Sequence, residues 1–304
     1  MSDRLPLTLG HSSDPDDAFM WWPLTGIDGS GPAIDTGRFD FTLVTDDIET
    51  LNARASSGDL DVTAISIAHY PAVHDTYVLT ACGASVGDGY GPKLVSRTPM
   101  TCDNLRRTQP RIAVPGARTT SLATTRLLLG ADVDWEAVEF ETIGDRVLAG
   151  DFEAGVVIHE GQLTFADSGL HLVEDLGAWW GREHDLPLPL GGNAARRDLE
   201  ARAGPGTLES LSRVLRASVE HALEHRETSL LWAQRFGRGI DLDTAGTFVD
   251  MYVNRWTLDF GPRGRAALRV FLDAVHAAGG PDPGSIDIVG SADDTLHAAA
   301  GDAS

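Results

Sequence analysis

GVVIHEGQLTFADSGLHLVEDLGAWWGREHDLPLPLGG, running from Gly155 to Gly192, opens on a short apolar run that stops at His159-Glu160 and is broken by Gly161. A run of that length, bounded by glycine, predicts a buried strand. In open α/β sheets ligands gather beyond the carboxyl ends of the strands, and His159 stands at such an end. An imidazole with an ordinary pKa of about 6.5 can accept a proton at physiological pH, so His159 is a candidate general base. On spacing alone, a lone histidine at a strand end is more often a structural residue. The stretch ends in Leu186-Pro187-Leu188-Pro189-Leu190-Gly191-Gly192, suited to carry the chain from one lobe back to another.

Outward from this stretch the same order of elements occurs twice. Leu5 to Leu9 predicts a strand, Ser12 to Asp17 a polar loop, and Ala18 to Leu24 a helix start with an aspartate available as N-cap. Arg111 to Gly116 predicts another strand, followed by the loop Ala117 to Ser121 and a helix from about Leu122 to Leu129. Phe39, Phe41 and Leu43 alternate with polar residues as in a strand, and Asp46-x-x-Glu49 reads as a capping box for a helix that Gly58 ends. Asp61 to Ser66 is a further strand, with Ala64, Ile65 and Ser66 at its end. Helix end, glycine, acid, apolar residue, acid and strand recur at 55–62 and 147–154. Two similar α/β lobes facing a shared cleft account for this order. We place lobe 1 at residues 1–106 and 193–280, lobe 2 at 107–192, and a loosely held tail at 281–304. Leu208, Leu211, Leu215, Val219, Ala222 and Leu223 form one helical stripe, and a last helix starts near Pro262 and stops at Gly279.

Each loop after a first strand is a candidate ligand site. Ser12, Asp16 and Asp17 lie between a strand and a helix start, a natural place for an anionic group. Thr119, Thr120 and Ser121 offer hydroxyls and backbone N–H groups that can hold a carboxylate without a formal positive charge, and the same residues can simply cap the helix. Gly83 to Pro92 is glycine-rich but lacks both the GK[ST] ending of a phosphate loop and the GxGxxG spacing, so a tight turn or hinge explains most of it. His221 and His225 sit one helical turn apart, and His69 and His74 follow a strand; neither pair has a third ligand in view, and we assign no metal.

Three words in this order and spacing, "IHEG" at Ile158–Gly161, "DLGAWW" at Asp175–Trp180 and "LPLPLGG" at Leu186–Gly192, resemble the 1,4-dihydroxy-6-naphthoate synthase family of the futalosine route to menaquinone. The resemblance runs from about Leu7 to Gly279. It implies a two-lobed periplasmic-binding-protein-like α/β fold with two crossings between lobes. It also implies a cofactor-independent carbon–carbon lyase that converts cyclic dehypoxanthinylfutalosine to 1,4-dihydroxy-6-naphthoate and a three-carbon fragment. His159 is then the base, and Ala64, Ile65, Ser66, Thr119, Thr120 and Ser121 hold the substrate. The first loop departs from the family, which commonly reads Ser-Pro-Cys-Pro-Asn-Asp-Thr-Phe where this chain has Ser12-Ser13-Asp14-Pro15-Asp16-Asp17-Ala18-Phe19. Added acids beside a carboxylated substrate cost affinity unless Arg118 or a helix N-terminus offsets them. Two alternatives follow: a related enzyme of the same fold on another substrate, or a solute-binding or sensor protein without chemistry.

Composition bounds these readings. The 304 residues are 42% hydrophobic and carry a formal charge of −21, which argues against nucleic acid and anionic membrane surfaces as partners. Lys93 is the single lysine. Cys82 and Cys102 make no disulfide framework. The first residues lack the apolar core of a signal peptide, and no run approaches a membrane span, so a cytoplasmic small-molecule enzyme is expected.

Overall fold

The computed structural model describes residues 4–290. Its strands are β1 (Leu5–Ser12), β2 (Phe39–Asp46), β3 (Val62–Ser66), β4 (Tyr77–Thr80), β5 (Ser85–Gly87), β6 (Lys93–Ser96), β7 (Ile112–Val114), β8 (Trp135–Ala137), β9 (Ala154–Val157), β10 (His171–Asp175), β11 (Leu188–Arg196) and β12 (Ile288–Val289). They form two sheets. The first has the order β12-β4-β11-β3-β1-β2, with β5 also on β11; the second has the order β10-β6-β9-β7-β8. In each sheet the strand that leads into a candidate loop lies inside the edge strand and runs parallel to both neighbours: β1 pairs with β2 and β3, and β7 pairs with β8 and β9. Helices cover the faces, so the central strands are buried runs rather than alternating ones.

Strand membership moves the expected lobe boundaries. β6 pairs with β9 and β10 in the second sheet, and β11 pairs with β3, β4 and β5 in the first. The chain therefore crosses between sheets at 88–92 and 176–187, not at 106/107 and 192/193. The two crossings lie against each other. Leu176 N–H donates to the Pro92 carbonyl (2.9 Å), and Lys93, the single lysine, pairs with Asp175. Asp175 also caps the next helix, accepting from the Gly177 and Ala178 N–H groups at 3.0 Å each. A Cβ on Gly177 would lie 1.9 Å from the Tyr90 carbonyl oxygen, so backbone packs on backbone there and only glycine fits. Behind the crossings Leu94, Leu122, Leu176, Trp180, Leu188 and Phe271 share one apolar cluster drawn from both lobes.

Local signals mostly hold, with informative exceptions. The stripe at Leu211, Leu215, Val219 and Ala222 is buried in the helix Thr207–Glu224, and the last helix spans Gly261–Ala277. Gly58 caps helix α2 (Ile48–Ser57) in the left-handed conformation, but its N-cap is Asp47 rather than Asp46, and Glu49 is drawn away to Arg118. The first helix, α1, covers Pro15–Trp21, starting three residues earlier than the sequence suggests because Pro15 occupies its first turn. Residues 281–290 are docked: β12 pairs with β4, and Ser212 Oγ donates to the Val289 carbonyl at 3.2 Å. The rest of the expected loose tail, 291–304, lies outside the described residues. Among the described residues no helix is long and apolar enough to cross a membrane.

Candidate active site

The carboxyl ends of β1 and β3, the segments that follow β7 and β9, and the bulged β11 surround a cavity, and a cleft between lobes is a preferred place for a small ligand. Ser12, Asp16, Asp17, Ala64, Ile65, Ser66, Thr119, Thr120, Ser121 and His159 all line it. The first lobe, the second lobe and the "IHEG" turn thus converge on one space. Phe248 and Tyr252 from the helix Leu242–Tyr252, with Ser85, Gln162 and Asn193, complete its wall.

His159 follows β9 with φ 54°, a left-handed conformation that costs about 1 kcal/mol for a non-glycine residue. That bend turns the ring toward the opposite lobe. Its Nδ1–H donates to Asp14 Oδ2 at 2.8 Å, and Phe140 packs edge-on at 4.8 Å. Asp14 is at the N-cap position of α1 but makes no cap bond; its carboxylate, 2% exposed, goes to His159 and Arg238 instead. Burial pulls the imidazole pKa down, but the Asp14 charge and hydrogen bond outweigh it, so His159 ends above its ordinary value. For Asp14 burial raises the pKa, and His159 and Arg238 more than reverse it. With Nδ1 committed to Asp14, the neutral ring keeps its lone pair on Nε2.

Arg238 locks this arrangement across the lobes. Its guanidinium donates to Asp14 (3.1 Å), to both Glu160 oxygens (3.1 and 3.2 Å), to Glu141 (2.5 Å) and to the Ser13 carbonyl (3.0 Å), and it covers the Phe140 ring. Arg118, the cation expected to offset the acidic loop, instead pairs with Glu49 through its side chain (2.7 Å) and its N–H (2.9 Å). The correction is geometric: Arg118 precedes the second-lobe helix and reaches α2, whereas Arg238 enters from a bend between Gly237 and Gly239.

The hydroxyl loop does both things the sequence allows. Thr119 is the N-cap of the helix Thr120–Leu129, accepting from Leu122 N–H, and Ser121 Oγ donates to it at 3.0 Å. Thr120 Oγ donates to the Leu190 carbonyl (2.6 Å) and accepts from Ala68 N–H (3.1 Å), so its hydroxyl ties the second-lobe helix to β11 and to the segment after β3 in the first lobe. The helix N-terminus itself faces the cavity through Thr119, Thr120 and Ser121. Ser66 is fixed by Asn52, which accepts from its N–H (2.8 Å) and donates to its Oγ (3.0 Å). Asp17 accepts from Ser12 N–H at 2.6 Å and closes the first loop.

Several site residues escaped the sequence reading. Tyr252 OH donates to Gln162 Oε1 at 2.7 Å, joining the helix Leu242–Tyr252 to the turn after His159. Asn52, Asn193 and Arg238 carry no motif that would mark them. Asp14 was visible as a departure from the family, though not as the partner of His159. His69 bonds Ser56 and His74 bonds the Pro71 carbonyl, and neither lines the cavity. His221 and His225 stack on each other at 4.0 Å. Among the described residues no cluster of three histidine, cysteine or acidic side chains is placed to hold a metal.

A family model described as menaquinone biosynthesis matches residues 7–277. The chain belongs to the menaquinone biosynthesis family. A 1,4-dihydroxy-6-naphthoate synthase of Thermus thermophilus is 37% identical over 270 residues, covering 88% of this chain and 93% of that protein. The enzyme of the same name from Streptomyces coelicolor is 34% identical over 287 residues, covering 91% and 96%. A crystal structure of an Archaeoglobus fulgidus protein superposes with TM-score 0.81 at 38% identity, over 90% of this chain and 98% of that one. The alkanesulfonate-binding protein of Xanthomonas axonopodis pv. citri shares the fold, with TM-score 0.62 at 12% identity over 92% and 96%. The family's fold is therefore the two-lobed periplasmic-binding-protein-like one.

Proposed function

We propose that this member of the menaquinone biosynthesis family is a 1,4-dihydroxy-6-naphthoate synthase, a cytoplasmic carbon–carbon lyase. Its substrate is cyclic dehypoxanthinylfutalosine, and a three-carbon fragment leaves. The observation that carries the chemical part is His159 on the cavity wall, backed by its buried partner Asp14. A base needs a defined tautomer, a partner that stabilises its protonated form, and access to substrate. Asp14 supplies the first two, and the cavity supplies the third. The N–H groups at the start of the Thr120–Leu129 helix take the substrate carboxylate, with the helix dipole favouring the anion. Ser66 and Ser121 add hydroxyl contacts. His159 removes the proton that starts bond cleavage, and aromatisation of the new ring supplies much of the driving force. Closing the lobes around the substrate excludes water.

Relatives that bear the synthase name across nearly their whole length support this reading over a purely solute-binding one. The deciding test is turnover: purified protein with cyclic dehypoxanthinylfutalosine yields 1,4-dihydroxy-6-naphthoate, read by mass and absorbance. Tight binding of that compound without turnover would turn the assignment to a sensor.

A further inference from the structure

Three carboxylates, Asp14, Asp16 and Asp17, are buried together on one turn, all less than a tenth exposed, and Asp16 and Asp17 line the cleft. Burying three like charges together requires a partner for each, or a proton on one. Asp14 has His159 and Arg238. Asp17 accepts the Ser12 N–H at 2.6 Å and has the His11 ring nearby; burial still leaves its pKa raised, with His11 and the Ser12 bonds opposing the shift. Asp16 has only Ser85 Oγ at 3.2 Å and the weak help of the Asp17 N–H. Among the described residues no arginine or lysine pairs with it. Arg238 is already shared between Asp14, Glu160 and Glu141. The groups facing Asp16 from other elements are Ser85 of β5, His159 after β9 and Tyr252 of the helix Leu242–Tyr252. Of these only His159 can carry positive charge, and its Nδ1–H is spent on Asp14.

We propose that Asp16 holds a proton in the free protein and presents it as a hydrogen-bond donor to an oxygen of the carboxylated substrate, making it a specificity-determining residue of this cleft. A neutral carboxyl there removes the repulsion that a third anion would exert on an anionic ligand. It also supplies a donor on the first-lobe wall, opposite the N–H donors of the second lobe. The substrate's identity rests on the synthase reading; the proton on Asp16 does not. Burial, followed by the charges of Asp17 and Asp14, raises its pKa to about 8, in agreement with the geometry.

The test has two arms. Carbon-13 NMR of ligand-free protein labelled at aspartate carboxyls should show one resonance titrating near pH 8 that is missing from Asp16→Asn. Calorimetric binding of 1,4-dihydroxy-6-naphthoate should then weaken about tenfold per pH unit above that point in the wild type. Asp16→Asn, which donates at every pH, gives the baseline for the probe's own titration and should lack this added dependence. Asp16→Ala should bind about tenfold more weakly at pH 7. If no resonance that Asp16→Asn removes titrates above the usual acid range, the proposal is wrong, even if another aspartate, such as Asp17, does. If one does, but wild type and Asp16→Asn share the same pH dependence, the donor role is wrong. A high-titrating Asp16 with no naphthoate binding at any pH would support the proton and overturn the synthase reading instead.

Discussion

Two helix N-termini line the cavity and are built on opposite principles. The Thr120–Leu129 helix opens with Thr119, Thr120 and Ser121, all neutral, with hydroxyls satisfied by one another and by the backbone. Helix α1 opens with three buried acids. A neutral helix start can receive an anion directly. An acidic one cannot, unless its charges are absorbed, and here Asp14 is absorbed by an ion-paired network. In the proposed mechanism that difference divides the labour: the second-lobe terminus takes the substrate carboxylate, and the first-lobe terminus manages protons through Asp14 and His159.

The comparison breaks most visibly at His159. His159→Ala should lower turnover by about 10²–10⁴-fold while leaving binding of 1,4-dihydroxy-6-naphthoate within a few-fold, as steady-state kinetics and calorimetry would read. Equal loss of both would make the residue a binding group.

Asp14→Asn is the next in size. It removes the charge that holds the His159 pKa above its ordinary value. The acid limb of kcat/KM, which in the wild type rises as the imidazole deprotonates, should therefore move to lower pH. The plateau should fall by roughly tenfold, because the base is weaker and less well oriented. A limb that stays in place would mean that Asp14 is only structural.

Asp16→Asn sharpens the contrast through stability. Its folded-state pKa is raised from 3.8 to about 8, so the proton's contribution is fully present below the lower value and is lost as pH rises through the upper one. Melting curves should show wild type losing stability relative to the variant over that window, by at most about 1.4 kcal/mol per pH unit, and a constant difference above it. Thr119→Ala, on the other wall, should cost about 1 kcal/mol through the lost cap at every pH and raise KM more than it lowers kcat. A pH-dependent cost there would contradict the neutral character of that terminus.

Much of this was legible in the sequence because it is local. A short apolar run ending at His159, a hydroxyl cluster before a helix, and glycines where the backbone must turn each carry their own physical cause. All ten residues expected at the cleft line it. Non-local partners were not legible. Arg238 sits on an irregular bend with φ 50° and no periodic signal, and it reaches Asp14 across 224 positions of sequence. The lobe boundaries fell in the wrong places because β6 and β11 are defined by distant pairing rather than by composition. Asp14 stands at the N-cap position of α1, where proximity along the chain favours capping; in the fold, an imidazole and a guanidinium compete for its carboxylate and win.

The most direct measurement is a single assay: wild type and His159→Ala, each incubated with cyclic dehypoxanthinylfutalosine and followed for dihydroxynaphthoate. Product from the wild type alone is the expected result. Product from both at similar rates would contradict His159 as the base, and product from neither would contradict the substrate.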